Sequence, residues 1–510
     1  MRTWLGRGKG VRVGITICCL IAFVLFGYDQ GVFGGILQNE DWLNQFDHPS
    51  DSKTGIIVSC YNLGCLTGCI INFFTADKLG RRMTIWVAMA LVIIGATLQA
   101  SAYTVPHLVI GRVVTGFGTG MKTSTVPMQV SPSCEIARTK YRGRLIASES
   151  LFVGVGIVFA YWFDFGLSYA GGAMAWRLPL AFQIVFALLV VVLVFALPDS
   201  PRWLFQHGRR DDAIAVMCYV YDKEVNDPWI IEQTKAIEAA IELEAEAQVS
   251  LVDCFKNDHV KTGSRVLMAW GMQFMNQAGG INLVVYYVPS VLVSNVGTTA
   301  HMAQILGGCI QIMFMVGAIL PALALDRMGR RKTMMWGSFG LGFCMMMVAI
   351  LLSQAKNVSN GDKCVSAAVA FFFLYQLFFG FSVNCVPWVY VPEILPLKAR
   401  ARGTAIGISS NWLWNFFIVM VTPILIERIG WRSYLIFTIT NYLFVVVTWW
   451  FYPETSNLDL ESVDQIFASG ENPVKVAKRM QQQIKEGRLR PMGADSSDNE
   501  KVVDDVDHKA

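Results

Sequence analysis

"ADKLGRRMT", residues 76–84, returns as "LDRMGRRKT", residues 325–333. The match sets Asp77 against Asp326, a shift of 249 residues. Two further landmarks keep nearly that period. Arg142-Gly143 recurs as Arg402-Gly403 after 260 residues, and "PDSP" from Pro198 recurs as "PETS" from Pro453 after 255. Three landmarks in one order at nearly one spacing mean that the chain is built from two homologous halves. Each copy of the first motif follows a long apolar run, so each half reads as a bundle of apolar helices with short basic turns.

Composition agrees. Of 510 residues 54% are hydrophobic and only 16% charged, against about 25% charged in ordinary soluble domains. Mean hydropathy is +0.44. Runs near the ~20 residues that cross a bilayer fall at 13–36, 54–76, 83–103, 106–129, 145–168, 176–197, 264–293, 301–325, 333–354, 365–392, 403–427 and 432–452. The expected fold class is an all-α membrane protein, with twelve transmembrane helices in two pseudo-symmetric six-helix bundles. The domains expected are an N-terminal bundle over 1–197, a helical linker over 198–263, a C-terminal bundle over 264–452 and a mostly disordered tail over 453–510. The first run follows a basic stretch, as in a signal peptide. It has no small-residue cleavage site and leads into further runs, so it reads as an uncleaved first helix.

Alternate loops differ sharply in charge. One set holds Arg2, Arg7, Lys9 and Arg12, then Lys78, Arg81 and Arg82, then Arg138, Lys140, Arg142 and Arg144. It continues with Arg327, Arg330, Arg331 and Lys332, and with Lys398, Arg400 and Arg402. The other set has only Lys53, Arg177, Lys356, Lys363, Arg428 and Arg432. The positive-inside rule then puts both termini and the linker in the cytoplasm, and the sequon at Asn357, a candidate glycosylation site, outside. A net charge of +4 is too small to argue for nucleic acid. The twelve cysteines match no zinc or disulfide spacing; most sit in apolar runs as small hydrophobes. No nucleophile–base or metal-ligand set is legible. An enzyme, a cofactor and a metal are therefore not expected, and the expected state is a monomer in the lipid bilayer.

The motifs together resemble the major facilitator superfamily, and within it the sugar porter family, over residues 10–460. They are Asp77-Lys-Leu-Gly-Arg-Arg, Asp326-Arg-Met-Gly-Arg-Arg, Pro198-Asp-Ser-Pro-Arg202, Pro453-Glu-Thr455 and "NQAGGINLVVYY" in the seventh run. "GTGMKTSTVPM" and "FAYWFDFG" look like the fungal branch of hexose transporters and glycerol/proton symporters. The resemblance implies alternating access to a site between the two repeats, a plasma-membrane location, and a small neutral sugar or polyol as substrate. It also implies a cytoplasmic gate of Asp77, Arg81, Arg82, Glu135 and Arg142 in the first half, with Asp326, Arg330, Arg331, Glu393 and Arg402 in the second. The four motif arginines have a second reading, as topology anchors only.

A sugar needs neutral donors and acceptors and an aromatic face. The family's sugar-contacting positions map onto Gln277, Asn282, Tyr286, Trp388, Asn411 and Asn415, with Asn276 where a first glutamine is usual. The fifth run aligns Ser150 where the family offers an amide, with Glu149 beside it. Phe314 and Gly380 stand at two further positions that are polar in the family. The amides have an alternative role, hydrogen bonding between helices.

In "FGYDQGVFGG", residues 26–35, Asp29 falls inside the first run, and Arg112 falls inside the fourth. Each charge at mid-bilayer costs roughly 2.5–3.5 kcal/mol, and pairing the two lowers that cost. The pair reads either as the proton-coupling site of a symporter or as a structural ion pair in a facilitator. A secondary-metabolite exporter of the same fold is disfavoured by the proline-free "GVGIVFAYWF". A non-transporting nutrient sensor is disfavoured by the short tail.

Overall fold

The computed structural model describes residues 6–135, 142–246, 250–355, 361–458 and 460–486, without the side chains at 77, 126–135, 142–147, 243–246, 326–327, 460–461 and 485. Asn357 and the side chains of Asp77, Glu135, Arg142 and Asp326 lie outside the described residues. The first half runs α1 (Lys9–Ile36), the short α2 (Glu40–Gln45), α3 (Asp51–Ala100), α4 (Val105–Glu135), α5 (Arg142–Ser168) and α6 (Met174–Ala196). Three short helices follow: α7 (Pro201–Gln206), α8 (Arg210–Tyr221) and α9 (Pro228–Glu246). The second half runs α10 (Thr262–Ala278), α11 (Ile281–Tyr286), α12 (Val288–Val291), α13 (Ala300–Met328) and α14 (Arg330–Gln354). It closes with α15 (Gly361–Phe381), α16 (Val386–Ile394), α17 (Arg400–Ile429) and α18 (Arg432–Phe451), before α19 (Leu460–Ala468) and α20 (Pro473–Lys485).

Among the described residues ten helical stretches are long and apolar enough to cross a membrane, and the bent pair Thr262–Tyr286 with Val288–Val296 makes an eleventh. The twelfth is α4, which carries Arg112 and Lys122 and lies along α3. Outward faces present Phe74, Leu323, Ile439 and Trp450 in the open, a surface suited to lipid and not to water. The repeat is visible in the packing. The helix pairs α1–α5 and α10–α17 match, each joining the first and fifth spans of its half. Between the halves α5 meets α13, and α17 meets α3 where a Cβ on Gly55 would lie 2.5 Å from the Met420 carbonyl.

Glycine sets two features of this frame. α3 turns at Gly80 (φ 76°, ψ 167°), and the chain turns between α13 and α14 at Gly329 (φ 79°, ψ 147°). Only glycine tolerates that region cheaply, which explains why the repeated motif is built around it. Along the α3–α4 seam, Gly64 and Gly68 face Gly116 and Gly120; a Cβ on any of them would come within 2.1–2.3 Å of a backbone oxygen opposite. Small residues at four-residue spacing let two membrane helices touch backbone to backbone.

None of α7–α9 is among the spanning stretches. Leu204, Ala213, Val216 and Val220 bury against Val11, Ile15 and Cys18 at the start of α1. Their other faces carry surface ion pairs such as Arg210–Glu238 at 2.7 Å. Within the tail, the described residues include two helices, α19 and α20. In α19 and α20, Val463, Ile466, Phe467, Val476 and Ala477 are buried, and Asp464 pairs with the buried Arg265 at 2.6 Å. Apolar residues at helical spacing, hidden in a polar stretch, supply that docking face.

Candidate functional site

The polar centre of the second half starts from α10. Gln273, Asn276 and Gln277 stand at i, i+3 and i+4, which puts them on one face of the helix. Gln277 Nε2 donates to Asn276 Oδ1 (2.7 Å), and Asn282 Nδ2 to Gln277 Oε1 (2.9 Å). From α17, Asn411 Nδ2 donates to Gln273 Oε1 (2.8 Å) and Asn276 Oδ1 (3.3 Å). Asn276 Nδ2 in turn reaches the Val383 carbonyl (2.6 Å) in the break between α15 and α16. The span itself is broken here: Gly280 has φ 101° and the helix axis bends by 66° at Tyr287. Irregular backbone at membrane depth is tolerated where it lines a cavity or is buried in protein, and broken helices mark substrate sites in transporters built from repeats.

The structure thus joins Asn276, Gln277, Asn282 and Asn411 in one hydrogen-bonded chain. Tyr286 and Asn415 are buried outside it, and the Tyr286 hydroxyl, Asn415 Oδ1, Gln273 Nε2 and the Trp412 ring nitrogen have no partner among the described residues. Each such buried group costs about 1–3 kcal/mol if nothing meets it, so the cluster holds unused capacity for a polar ligand. The Trp412 ring meets Phe26 of α1 edge-on at 5.7 Å, placing an aromatic wall between the halves. Ser150 on α5 is buried and Trp388 on α16 is half-buried; neither joins the amide chain. Sequence reasoning missed Gln273, and also the amide pair Gln376–Gln311 (2.8 Å), whose Gln311 caps the Val284 carbonyl beside the break (3.1 Å). The signal for both was available: amides within apolar runs.

The second polar centre surrounds Asp29, which is fully buried. Tyr61 Oη (3.3 Å) and Thr119 Oγ1 (3.2 Å) both donate to Asp29 Oδ2, while Oδ1 has no partner. Arg112 does not close the direct ion pair that the sequence suggested. Its guanidinium donates to the carbonyls of Val58 (2.9 Å) and Ile57 (3.4 Å), and lies over the rings of Phe33 (4.3 Å) and Tyr61 (4.6 Å). Backbone oxygens accept from the arginine's donors and aromatic faces attract its charge. Tyr61 therefore stands between the two charges, holding one on its face and the other on its hydroxyl. Two buried side chains nearby were not singled out from sequence, Lys122 and Asp164. Both Asp164 oxygens lack a hydrogen-bond partner among the described residues.

At the end of the bundle that carries the repeated motif, Arg330 grips Glu393 through two nitrogens, at 2.8 and 3.2 Å, and Thr455 also donates to Glu393 (2.7 Å). Glu454 accepts the backbone N–H groups of Arg330 (2.8 Å) and Arg331 (3.1 Å), capping α14 where the helix dipole favours a carboxylate. Arg331 donates to the Trp449 carbonyl (2.6 Å). The first half repeats the design more loosely. Asp199 sits 3.1 Å from the position a Cβ would take on Gly80 and accepts the Arg82 N–H at 3.5 Å, while the Arg82 side chain donates to the Phe195 carbonyl (3.1 Å). The two repeated motifs of each half thus meet in space. Arg81 and Arg402 are half-buried.

The family of the "Sugar (and other) transporter" matches residues 15–467. The chain is 37% identical to the MFS-type transporter oryC of Aspergillus oryzae, covering 92% of this chain and 88% of that one. It is 34% identical to the sugar transporter STL1 of Saccharomyces cerevisiae (94% and 85%), and 31% to a quinate permease of Neurospora africana (88% and 87%). In fold it is similar to the proton:xylose symporter XylE bound to 6-bromo-6-deoxy-D-glucose, with a TM-score of 0.75 at 22% identity over 90% of this chain and all of the other. The partially occluded inward-open form of XylE from E. coli gives 0.73 at 21%, over 88% and 100%. The family match over residues 15–467 and this twelve-helix frame agree, and the protein is a membrane transporter, not an enzyme, belonging to the sugar porter family of the major facilitator superfamily.

Proposed function

We propose that this protein takes up a small neutral sugar or polyol across the plasma membrane by alternating access, in symport with a proton carried by Asp29. One observation carries the coupling. Asp29 is fully buried, has an oxygen without a partner, and has no direct ion pair with Arg112. A carboxylate already locked to a cation has little use for a proton; this one has room for it. Tyr61 and Thr119 orient the carboxyl, and the Arg112 charge, one ring away, compensates it when ionised. Substrate would engage the chain from Gln273 to Asn411 together with Tyr286, Asn415 and Trp412, with Ser150 and Trp388 reached as the halves move. At the α13–α15 seam a Cβ on Gly380 would meet the Phe314 carbonyl at 2.3 Å. The two amides on that side, Gln311 and Gln376, are bonded to each other and to the Val284 carbonyl, which favours a polyol or small sugar over a substrate with many hydroxyls to satisfy.

The arginine motifs would serve as the cytoplasmic gate, with both termini on that side. Uptake of labelled glycerol, xylose, glucose and quinate into a yeast lacking its own carriers tests the reading. The expected result is accumulation of one polyol or sugar that a protonophore collapses. Equilibration that ignores the protonophore would make the protein a facilitator, and Asp29 a structural residue. Efflux would overturn the uptake reading, and preferred transport of quinate would overturn the neutral-substrate assignment.

A further inference from the structure

Lys122 has no role in that scheme, and its place in the fold calls for one. It lies three residues after Thr119 on the face of α4 that also carries Arg112 and Thr115, and residues at this spacing line up along a helix. Thr119 donates to Asp29 from that face (3.2 Å), so the face is turned toward α1. Lys122 is 1% exposed, and neither its Nζ nor Asp29 Oδ1 has a hydrogen-bond partner among the described residues. A buried ammonium with no acceptor is among the costliest groups a fold can hold. The titratable and charged groups that face Asp29 are Tyr28 of α1, Tyr61 and Cys65 of α3, Arg112 and Lys122 of α4, and Tyr286 of α11. Only two of these are cations. Arg112 is committed to the Ile57 and Val58 carbonyls and to two rings. Lys122 and Asp29 are thus two buried groups of opposite charge on facing helix sides, each with a polar atom that nothing among the described residues meets.

We propose that Lys122 is the switchable counter-charge of Asp29, closing onto the carboxylate when the proton leaves and withdrawing when it returns. The inference rests on the proton-coupled reading of Asp29 and adds to it the residue that sets the pH at which coupling works. The step balances simply. The Asp29 O–H bond breaks, the proton passes to water on the side the cavity faces, and the ammonium, which stays protonated throughout, neutralises the new carboxylate. The long stem of Lys122, whose nitrogen is bonded to nothing among the described residues, permits that excursion, where Arg112, held by the Ile57 and Val58 carbonyls, does not.

The test compares K122M, K122R and D29N/K122M with D29N and the native protein, all full-length. Uptake is followed against external pH, and thermal stability in detergent is measured in parallel. A nearby opposite charge moves a carboxylate's titration by about 1–3 pH units. K122M should therefore raise the pH of half-maximal uptake by about one unit or more, because the carboxyl holds its proton longer. K122R, which keeps the charge, should stay near the native profile. D29N leaves a lone buried ammonium, and D29N/K122M should be more stable than D29N alone. If K122M folds and keeps the native pH profile, Lys122 only fills space and the proposal is overturned. If native uptake does not depend on pH, the symport reading fails, and the pairing is decided by stability: rescue in the double variant upholds it, and additive losses overturn it.

Discussion

Arg330 and Glu393 form a two-pronged ion pair, 2.8 and 3.2 Å long, between α14 and the end of α16. Arg330 also donates through its backbone to Glu454 and through its side chain to Ser456 (3.3 Å), so one residue ties three segments together. Their side chains are 6% and 27% exposed. Arg330→Ala is therefore expected to cost about 2–3 kcal/mol, somewhat less than the about 3–5 kcal/mol lost when a fully buried pair is broken. Arg330→Lys keeps the charge but not the fork, and should recover only part of the loss. Thermal unfolding in detergent checks both, and an unchanged melting temperature for Arg330→Ala would remove the pair as a clamp.

The repeat was legible because its motif encodes a turn that only glycine makes, at Gly80 and again at Gly329. The meeting of that turn with Asp199 or Glu454 was not. Those carboxylates come more than a hundred residues later, and nothing local in "PDSP" or "PETS" names its target. The amides of the seventh span were readable as costly polar groups in an apolar run, whereas Gln273, two turns before the break, fell outside the quoted signature. Arg112 shows a different limit. Sequence displays charges but not carbonyls, so pairing it with Asp29 overlooked the Ile57 and Val58 oxygens that take it instead. Lys122 was passed over because "GTGMKTSTVPM" was read for its likeness to the fungal branch and not for the lysine inside it.

Tyr61 bridges the two buried charges, and its hydroxyl is the part that matters for coupling. Tyr61→Phe keeps the ring under Arg112 (4.6 Å) but removes the hydrogen bond to Asp29 (3.3 Å). Expression and fold should persist while the pH profile of uptake shifts. Asp29→Asn goes further, abolishing accumulation against a gradient and leaving exchange of labelled for unlabelled substrate. Exchange lost together with accumulation would point to a structural carboxylate.

Outside the membrane, Asp258 anchors the start of α10 and hence the amide chain behind it. It accepts the Thr262 N–H (3.0 Å) and hydroxyl (2.9 Å) and pairs with Lys398. Partial burial works against the charged form, but Lys398 and Thr262 outweigh it and hold the carboxyl well below the usual carboxylate range. A depressed value means stability that is present above the ordinary carboxylate pKa of about 4 and lost as pH falls toward the folded value. Asp258→Ala should lower stability by about 1 kcal/mol at neutral pH, the usual worth of such a cap. The gap from native should shrink as the medium is acidified below pH ~4. Melting curves at pH 7 and at the lowest pH that the detergent complex survives decide it. A gap independent of pH would mean that packing, not charge, holds this turn.

Two asparagines buried in the second half separate ligand binding from scaffold. Asn441 donates both its hydrogens to backbone carbonyls, of Gly279 (2.8 Å) and Phe437 (2.7 Å), at the break that shapes the seventh span. Asn411 gives its hydrogens to Gln273 and Asn276 instead, inside the amide chain. Removing Asn441 takes one donor from each of two carbonyls at membrane depth, leaving Gly279 to Tyr375 (3.0 Å) and Phe437 to Thr440 (3.1 Å), so Asn441→Ala should reduce folded yield and stability. The protein that does fold should bind substrate with nearly native affinity. Asn411→Ala leaves no backbone group exposed but loosens Gln273 and Asn276, whose orientation a sugar hydroxyl would read. Its KM should rise about tenfold, which corresponds to roughly 1.4 kcal/mol of lost binding, beside a stability loss of about 1–3 kcal/mol for the Gln273 oxygen left without its donor. Initial uptake rates over a substrate range, normalised to the surface amount of each variant, separate the two effects. If Asn411→Ala keeps the native KM, the amide chain is internal glue between α10 and α17, and substrate must be read elsewhere in the cavity.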